Sequence, residues 1–312
     1  MTALRRRLAD YLETRRAAGY RLDTLERMNT SFISWLEQQG HADGFTAAQA
    51  VEWATLPAGA DPNWWAMRLA AVRTFATHLA GEGVPGVDAP HKGLLPVKPS
   101  RITPYLYQPA DVSALIAACR GLFAAPLPGA STAAVIGLLA ATGIRIGEAV
   151  GLDASSLDAA QNTLRVYSTK TRQHRILPLH PTTTEHLQTL LAHPARPRQR
   201  ADPDDPLFIT TRGNRYQVAT LESHFQRAVA AADLPRQPGA KPTLHSLRHS
   251  FATAAMTTAY QTGGDPARTL TLLATWLGHS SPAATYWYLA ACPDLLDQAA
   301  RRLAAPNPKE LP

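Results

Sequence analysis

Residues 245–249 read HSLRH, and two further short motifs flank them in the second half of the chain. About a hundred residues upstream, residues 141–148 read ATGIRIGE. Some thirty residues downstream, residues 277–279 read LGH, and a tyrosine, Tyr288, follows that histidine by nine positions. This order of arginines, histidines and a late tyrosine indicates the kind of chemistry and the kind of fold to expect.

The side chains of these motifs suit the handling of a phosphodiester. Guanidinium groups, here those of Arg145 and Arg248, bind the non-bridging oxygens of a phosphate through paired hydrogen bonds. His245 and His279 can hydrogen-bond a phosphate and move protons. The phenol of Tyr288, with an ordinary pKa near ~10, can attack phosphorus once a cationic site lowers that pKa or a base takes its proton. The combination predicts DNA strand cleavage through a covalent protein–DNA bond.

The composition is that of a globular protein with a polyanionic partner. At 312 residues, 45% of them hydrophobic, the chain is long enough for about two domains. Lys and Arg exceed Asp and Glu by 31 − 24 = 7, which favours nucleic acid. The two cysteines, Cys119 and Cys292, are too few for a disulfide framework or a four-ligand zinc site. With no apolar run of membrane-spanning length and no signal peptide, we expect a cytoplasmic, nucleoid-associated protein without a membrane partner.

Hydrophobic periodicity predicts a mainly α fold of the α+β type. Residues 1–83 are expected to form a small helical domain that binds DNA, and its four helices are predicted over 2–19, 23–39, 46–55 and 63–80. Five prolines in residues 84–104 forbid a continuous helix and favour an extended linker. Because the linker carries basic residues, it could lie along DNA. The alternative is that it is an inert spacer.

Residues 105–312 are expected to form a second, mostly helical domain with a small antiparallel hairpin. The hairpin is predicted from residues 162–168 and 173–179, joined by TKTR at 169–172. Helices are predicted over 110–119, 131–141, 182–191, 216–232, 244–258, 266–277 and 282–290, with a tail helix over 293–303.

These motifs resemble those of the tyrosine recombinase, or phage integrase, family. ATGIRIGE is similar to the family's first arginine box, HSLRHSFAT at 245–253 to its second, and LGH with the tyrosine nine positions later to its third box and nucleophile. Lys170, ahead of RILPL at 175–179, matches the hairpin lysine. The resemblance covers about 200 residues strongly and the N-terminal helices only by architecture. The departures are Gly147 in place of a more usual serine, and an insertion near residues 260–265.

The resemblance implies a site-specific integrase or transposase of a mobile element that needs neither metal nor ATP and has no cofactor. Its catalytic residues would be Arg145, Lys170, His245, Arg248, His279 and Tyr288. The arginines and His279 would bind the scissile phosphate, His245 would accept the proton of the tyrosine, and Lys170 would protonate the leaving 5′-oxygen. Tyr288 would form a 3′-phosphotyrosine. The implied partner is double-stranded DNA, bound by a homotetramer or by a mixed assembly with sibling recombinases.

Other interpretations remain open at this stage. Tyr286 is a rival nucleophile, and Arg172 or Arg175 could replace Lys170. Arg145 could be a structural partner of Glu148. His245 and His249 have the i, i+4 spacing of a metal pair, although no neighbouring carboxylate or cysteine completes a site.

Five basic residues outside the motifs are candidates for DNA binding: Lys92, Lys98, Arg101, Arg172 and Arg175. Two other functions use the same residues. One is a type IB topoisomerase-like enzyme acting on a single duplex, and the other is a catalytically silent relative that only occupies DNA sites. The intact set of six catalytic residues and the separate N-terminal domain favour the recombinase.

Overall fold

The computed structural model describes residues 2–20, 22–97, 103–168, 173–197 and 204–278. Within them the fold is mainly helical with one small antiparallel sheet, so the predicted fold class is confirmed. The chain divides into two compact units, Met1–Arg101 and Ile102–Pro312, and each unit has its own hydrophobic core. The boundary between the units falls inside the proline-rich segment 84–104.

In its described residues the first unit contains four helices, and their buried residues recur at helical spacing. They are α1 (Ala3–Ala17), α2 (Asp23–Gln38), α3 (Ala47–Thr55) and α4 (Pro62–Gly81). α2 buries Phe32 and Leu36, and α4 buries Leu69, Val72 and Phe75. These bounds lie within two residues of the predicted ones, because the apolar periodicity of each segment is unambiguous.

The start of the proline-rich segment packs against the first unit and is not a free spacer. The backbone N–H of Phe45 donates to the carbonyl of Gly86 (2.9 Å), and the N–H of Asp88 donates to the carbonyl of Phe45 (2.9 Å). A Cβ added at Gly44 would lie 2.3 Å from the Gly86 carbonyl oxygen, so this close approach requires glycine. No helix occurs in residues 84–97, as the prolines predicted.

The second unit combines helices with one small antiparallel sheet. The helices are α5 (Pro109–Cys119), α6 (Pro126–Thr142), α7 (Ile146–Val150), α8 (Pro181–Leu191), α9 (Val218–Ala231), α10 (Leu244–Gln261) and α11 (Pro266–Leu277). The sheet has the order β1 (Leu157–Asp158), β2 (Thr163–Ser168), β3 (Gln173–Pro178). α6 is the central helix, with Val135, Ile136 and Leu139 fully buried.

Some elements differ from the sequence predictions. α6 begins at Pro126, five residues earlier than the predicted start at 131, because prolines are tolerated in a first helical turn. α10 continues to Gln261 and takes up the beginning of the expected insertion. α7 and β1 were not predicted, since neither is long enough to show a period. The predicted helices over 282–290 and 293–303 lie outside the described residues. Within the described part of the chain, no helix has the length and apolar character needed to cross a membrane.

Candidate active site

The second motif forms the beginning of α10. Thr243 caps this helix, since its Oγ1 accepts a hydrogen bond from the backbone N–H of Ser246 (3.0 Å). The cap fixes the first turn, so His245 and Arg248 occupy adjacent turns of one helix. Their surroundings differ: His245 has an exposed side, whereas Arg248 is buried, with 1% of its surface accessible.

Arg248 joins the first and third motifs through two backbone carbonyls. Its Nη1 donates to the carbonyl of Gly143 (2.7 Å), and its Nη2 donates to the carbonyl of Leu277 (2.8 Å). Gly143 ends α6 and Leu277 is the last residue of α11. The last carbonyls of a helix have no intrahelical partner, and a cation at this end is favoured by the helix dipole. One guanidinium therefore hydrogen-bonds carbonyls at the ends of two helices and brings the three motifs together.

Glycine at position 143 is required by the backbone and by the packing. Its φ is +64°, in the left-handed region that helix C-caps commonly use. An added Cβ would lie 2.6 Å from Cδ1 of Phe251 and 3.0 Å from Cδ2 of Leu277. The Thr-Gly pair of the first motif thus lets α6 end directly against α10 and α11, which presents the Gly143 carbonyl to Arg248.

Arg145 precedes the short helix α7 and pairs with Glu148. Oε2 of Glu148 accepts from the backbone N–H of Arg145 (2.9 Å), and Oε1 accepts from its Nη1 (3.1 Å). The carboxylate is nearly buried, whereas 34% of the Arg145 side chain remains exposed. The ion pair considered from the sequence is present, but it uses only part of the Arg145 guanidinium.

Arg175, a candidate DNA-binding residue, directs its guanidinium into the protein. Its Nη1 and Nη2 donate to the two carboxylate oxygens of Glu148 (3.2 and 2.8 Å), and its Nε donates to the carbonyl of Trp276 (2.8 Å). Only 13% of the side chain is exposed. Arg175 pairs with the buried Val166 across the sheet, so it lies on the inner face. The alternation of RILPL, with Leu177 and Leu179 buried, was the available signal for this orientation.

The electrostatics of the site favour a neutral imidazole at His245. Burial of the ring lowers its pKa, and the positive charges of Arg248 and Arg145 lower it further. A neutral imidazole can accept a proton near neutral pH. His249 packs edge-on against it, with ring centroids 4.8 Å apart. Burial, then His245 and Arg248, lower the pKa of His249 to about 3, so His249 is also neutral and is expected to support its neighbour structurally.

Several predicted site residues lie outside the described residues: Lys98, Arg101, Lys170, Arg172, His279, Tyr286 and Tyr288. Lys92 is described and is exposed on the first unit. The described part of the second unit brings together Arg145, His245 and Arg248. It also joins β3, through Arg175, to the carbonyl of Trp276, three residues before His279. Across the described residues, no group of three or more histidines, cysteines or carboxylates is positioned to hold a metal ion.

The sequence of the second unit matches a known family. Residues 107–293 match the phage integrase family, a range that starts at Tyr107 and spans all three motifs. The chain belongs to the phage integrase family. Its members that use a tyrosine nucleophile are the tyrosine recombinases, whose boxes the three motifs resemble.

Relatives extend the match over both units. The protein y4rB of Sinorhizobium fredii, named as an integrase/recombinase, is 34% identical over 97% of this chain and 98% of its own length. The tyrosine recombinase XerC of Rhizobium meliloti is 29% identical over 92% of this chain and 88% of its own.

Solved structures share the fold at low sequence identity. The Tn1549 transposon integrase, in a complex with transposon right-end DNA, superposes with a TM-score of 0.66 at 19% identity, over 98% of this chain and 100% of that one. XerH recombinase, bound to its difH substrate, gives a TM-score of 0.65 at 18% identity, over 91% and 80% of the two chains.

Proposed function

We propose that this protein is a site-specific recombinase that cuts and rejoins DNA strands through a 3′-phosphotyrosine at Tyr288. The observation that carries the proposal is the position of Arg248, which donates hydrogen bonds to the first motif at Gly143 and to the third motif at Leu277. A cationic group held between all three motifs suits a single phosphate site. The full-length similarity to integrases and XerC recombinases supports the same function.

The proposed chemistry assigns one role to each side chain. Arg145, Arg248 and His279 stabilise the charge that develops on the non-bridging oxygens, where losing one donor typically costs ~10²–10³ in rate. The phenolic oxygen of Tyr288 forms a bond to phosphorus while the bond from phosphorus to the 5′-oxygen breaks. The phenolic proton passes to His245, and the 5′-oxygen takes a proton from Lys170. Reversing these steps with another 5′-hydroxyl rejoins the strand, so we propose that neither ATP nor a metal ion is required.

DNA is held by phosphate contacts outside the reacting group. Lys92 on the first unit is exposed, and Lys98, Arg101 and Arg172 are its proposed partners in this role. Contacts to phosphates supply affinity, and contacts to bases supply site choice. The protein would act in the nucleoid, where its substrate is.

Recombination joins two duplexes and needs four strand cuts, so we propose a tetramer on DNA, either of this chain alone or with sibling recombinases. A groove of about 1450 Å³ lies between α5, α6, α8 and α10 of the second unit. Small residues such as Ala134 and Gly137 line it. Residues 293–303, with leucines at helical spacing, are the proposed occupant, supplied by a neighbouring protomer. The groove reaches Phe251, whose ring stacks on Trp276 close to the last described residue, Gly278.

The nucleophile is tested with a nicked duplex from which a short cleaved strand diffuses away, trapping the covalent adduct. Tyr288→Phe should abolish the adduct and leave DNA binding within a few-fold, because only one oxygen is lost. Tyr286→Phe is the matched control and should cleave normally. A normal adduct in Tyr288→Phe together with a loss in Tyr286→Phe would reverse the assignment. The same assay in EDTA without nucleotide tests the proposed independence from metal and ATP.

A further inference from the structure

Glu148 is a buried carboxylate that two arginines share. Arg175 binds both of its oxygens in a fork, with Nη1 to Oε1 at 3.2 Å and Nη2 to Oε2 at 2.8 Å. Arg145 donates its backbone N–H to Oε2 (2.9 Å) and its Nη1 to Oε1 (3.1 Å). Burial raises the pKa of Glu148, but the hydrogen bonds from Arg175 and from the Arg145 backbone, together with the positive charges of both arginines, outweigh it and lower the pKa. The group is therefore a carboxylate at neutral pH.

The charges of this cluster leave one cation available. Two guanidinium groups and one carboxylate sum to a single positive charge. The fork of Arg175 occupies both carboxylate oxygens and its side chain is 13% exposed, whereas Arg145 makes one side-chain contact and stays 34% exposed. Without Arg175, the buried carboxylate would have Arg145 as its only cationic partner among these contacts. It would then attract the guanidinium that the scissile phosphate needs.

Arg175 also holds the chain before His279. Its Nε donates to the carbonyl of Trp276 (2.8 Å). A Cβ added at Gly278, where φ is +66°, would lie 3.0 Å from its Nη1, so the guanidinium lies close against the glycine backbone. Arg175 belongs to β3, in the hairpin that carries Lys170. Its side chain therefore connects this hairpin to both the first and the third motif.

We infer that Arg175 is a positioning residue of the recombinase site: it satisfies Glu148, so that Arg145 stays free for the scissile phosphate. This role differs from the DNA contact expected from the sequence, and it rests on the recombinase function proposed above. Arg175 acts through Glu148 and Arg145 and does not itself touch DNA.

The test compares Arg175→Gln with the double variant Glu148→Gln/Arg175→Gln in the full chain. Adduct formation is measured in a single turnover at saturating nicked duplex, and DNA affinity is measured across a series of salt concentrations. We expect Arg175→Gln to slow adduct formation by about 10- to 100-fold, a range typical of couplings within one network. The double variant removes the competing charge, and Gln at position 148 can still accept the hydrogen bond from the backbone N–H of Arg145. It should form the adduct at least roughly ten-fold faster than the single variant.

The salt series separates positioning from phosphate binding. A direct phosphate contact by Arg175 would reduce the slope of log affinity against log salt by about 0.9 in both variants. A positioning Arg175 leaves the slope of the double variant unchanged, because Arg145 is again free for the phosphate. A single variant as fast as the unaltered chain, a double variant no faster than the single, or a reduced slope in the double variant would each overturn the inference. If the single variant fails to fold, the double variant alone tests the inference, because it buries no unpaired charge. Adduct formation by the double variant then supports the inference, and its absence overturns it. Absence of adduct with the unaltered chain would instead overturn the proposed function, and the inference with it.

Discussion

The residues of the site differ in how much freedom the protein leaves them. Arg248 is buried and fixed by two carbonyls at helix ends, so its charge is in place before any DNA arrives. Arg145 keeps a third of its side chain exposed, and His245 lies in the first turn of α10 with an exposed side. A preorganised cation beside accessible reacting groups is the arrangement that electrostatic catalysis requires, since no reorganisation is left for the reaction step.

The lowered pKa of His245 predicts the pH dependence of cleavage. In the proposed mechanism the neutral ring accepts the tyrosine proton. The ring is protonated only below its pKa, which burial and then Arg248 and Arg145 hold under the ordinary ~6.5. The single-turnover rate should therefore be insensitive to this group at pH 7 and above. It should fall as the pH drops, with a midpoint below ~6.5. His245→Gln should be slower by about 10²-fold, a typical general-base contribution, and should lose this acid limb. An acid limb that persists in His245→Gln would assign it to another group.

At the scale of elements, the site is built where two helices end. α6 and α11 both terminate at glycines with left-handed backbone, Gly143 at φ +64° and Gly278 at +66°. The carbonyls at these helix ends accept side-chain donors from other segments: Trp276 Nε1 donates to Thr142 (2.8 Å), while Arg248 and Arg175 donate to Gly143, Leu277 and Trp276. Gly143 and Gly278 therefore help to place the arginines, because each ends a helix where its last carbonyls can accept a guanidinium hydrogen bond.

Two glycines of the first motif should respond to substitution in opposite ways. Gly143→Ala forces a side chain into left-handed backbone and against Phe251, so we expect a loss of about 2–4 kcal/mol in unfolding free energy, together with slower cleavage. Gly147 lies in α7 with nothing within 4 Å of an added Cβ. Gly147→Ala should be neutral or stabilise by up to ~1 kcal/mol through helix propensity. Denaturant unfolding of the two variants measures both, and equal effects would contradict the packing argument.

Sequence patterns predicted the long elements better than the connections between motifs. Helices with a clear apolar period, such as α2 and α11, end within about a residue of the predicted limits. The pairing of Arg175 with Glu148 joins residues that are 27 positions apart, and no local pattern encodes such a contact. The basic character of Arg175 suggested DNA, whereas only its inward register on β3 explains its partners.

At the scale of the whole molecule, we expect the net charge of +7 to strengthen DNA binding mainly through the basic residues of the linker. Lys92 is exposed, and Lys98 and Arg101 follow within nine residues. Replacing all three by Ala should weaken DNA binding and reduce the salt slope by up to about 2.7, at roughly 0.9 for each phosphate contact. Arg5→Gln is the control, because Glu37 already binds the Arg5 guanidinium (2.7 Å), and its slope should not change. An unchanged slope in the triple variant would show that these residues do not contact phosphates.

The proposed assembly rests on the groove between α5, α6, α8 and α10 and on residues 293–312. Leu295, Leu296 and Leu303 recur at helical spacing, and a stripe of this kind needs an apolar surface to cover it. Pro293 interrupts any preceding helix, so the tail can turn away from its own domain. If the tail docks into a neighbouring protomer, each tyrosine is coupled to the state of the assembly, and only some protomers cut at one time.

Deleting residues 293–312 should leave binding to a single site intact and abolish the cooperative pairing of two sites in a gel-shift titration. Filling the groove provides an independent variant: Ala134→Trp places a large side chain where Ala134 lines the groove, and it should cause the same loss of pairing. Single-site adduct formation should persist in Ala134→Trp, because the phosphate site is unchanged. If both variants still pair sites and recombine at the normal rate, the tail packs on its own domain and does not couple the protomers.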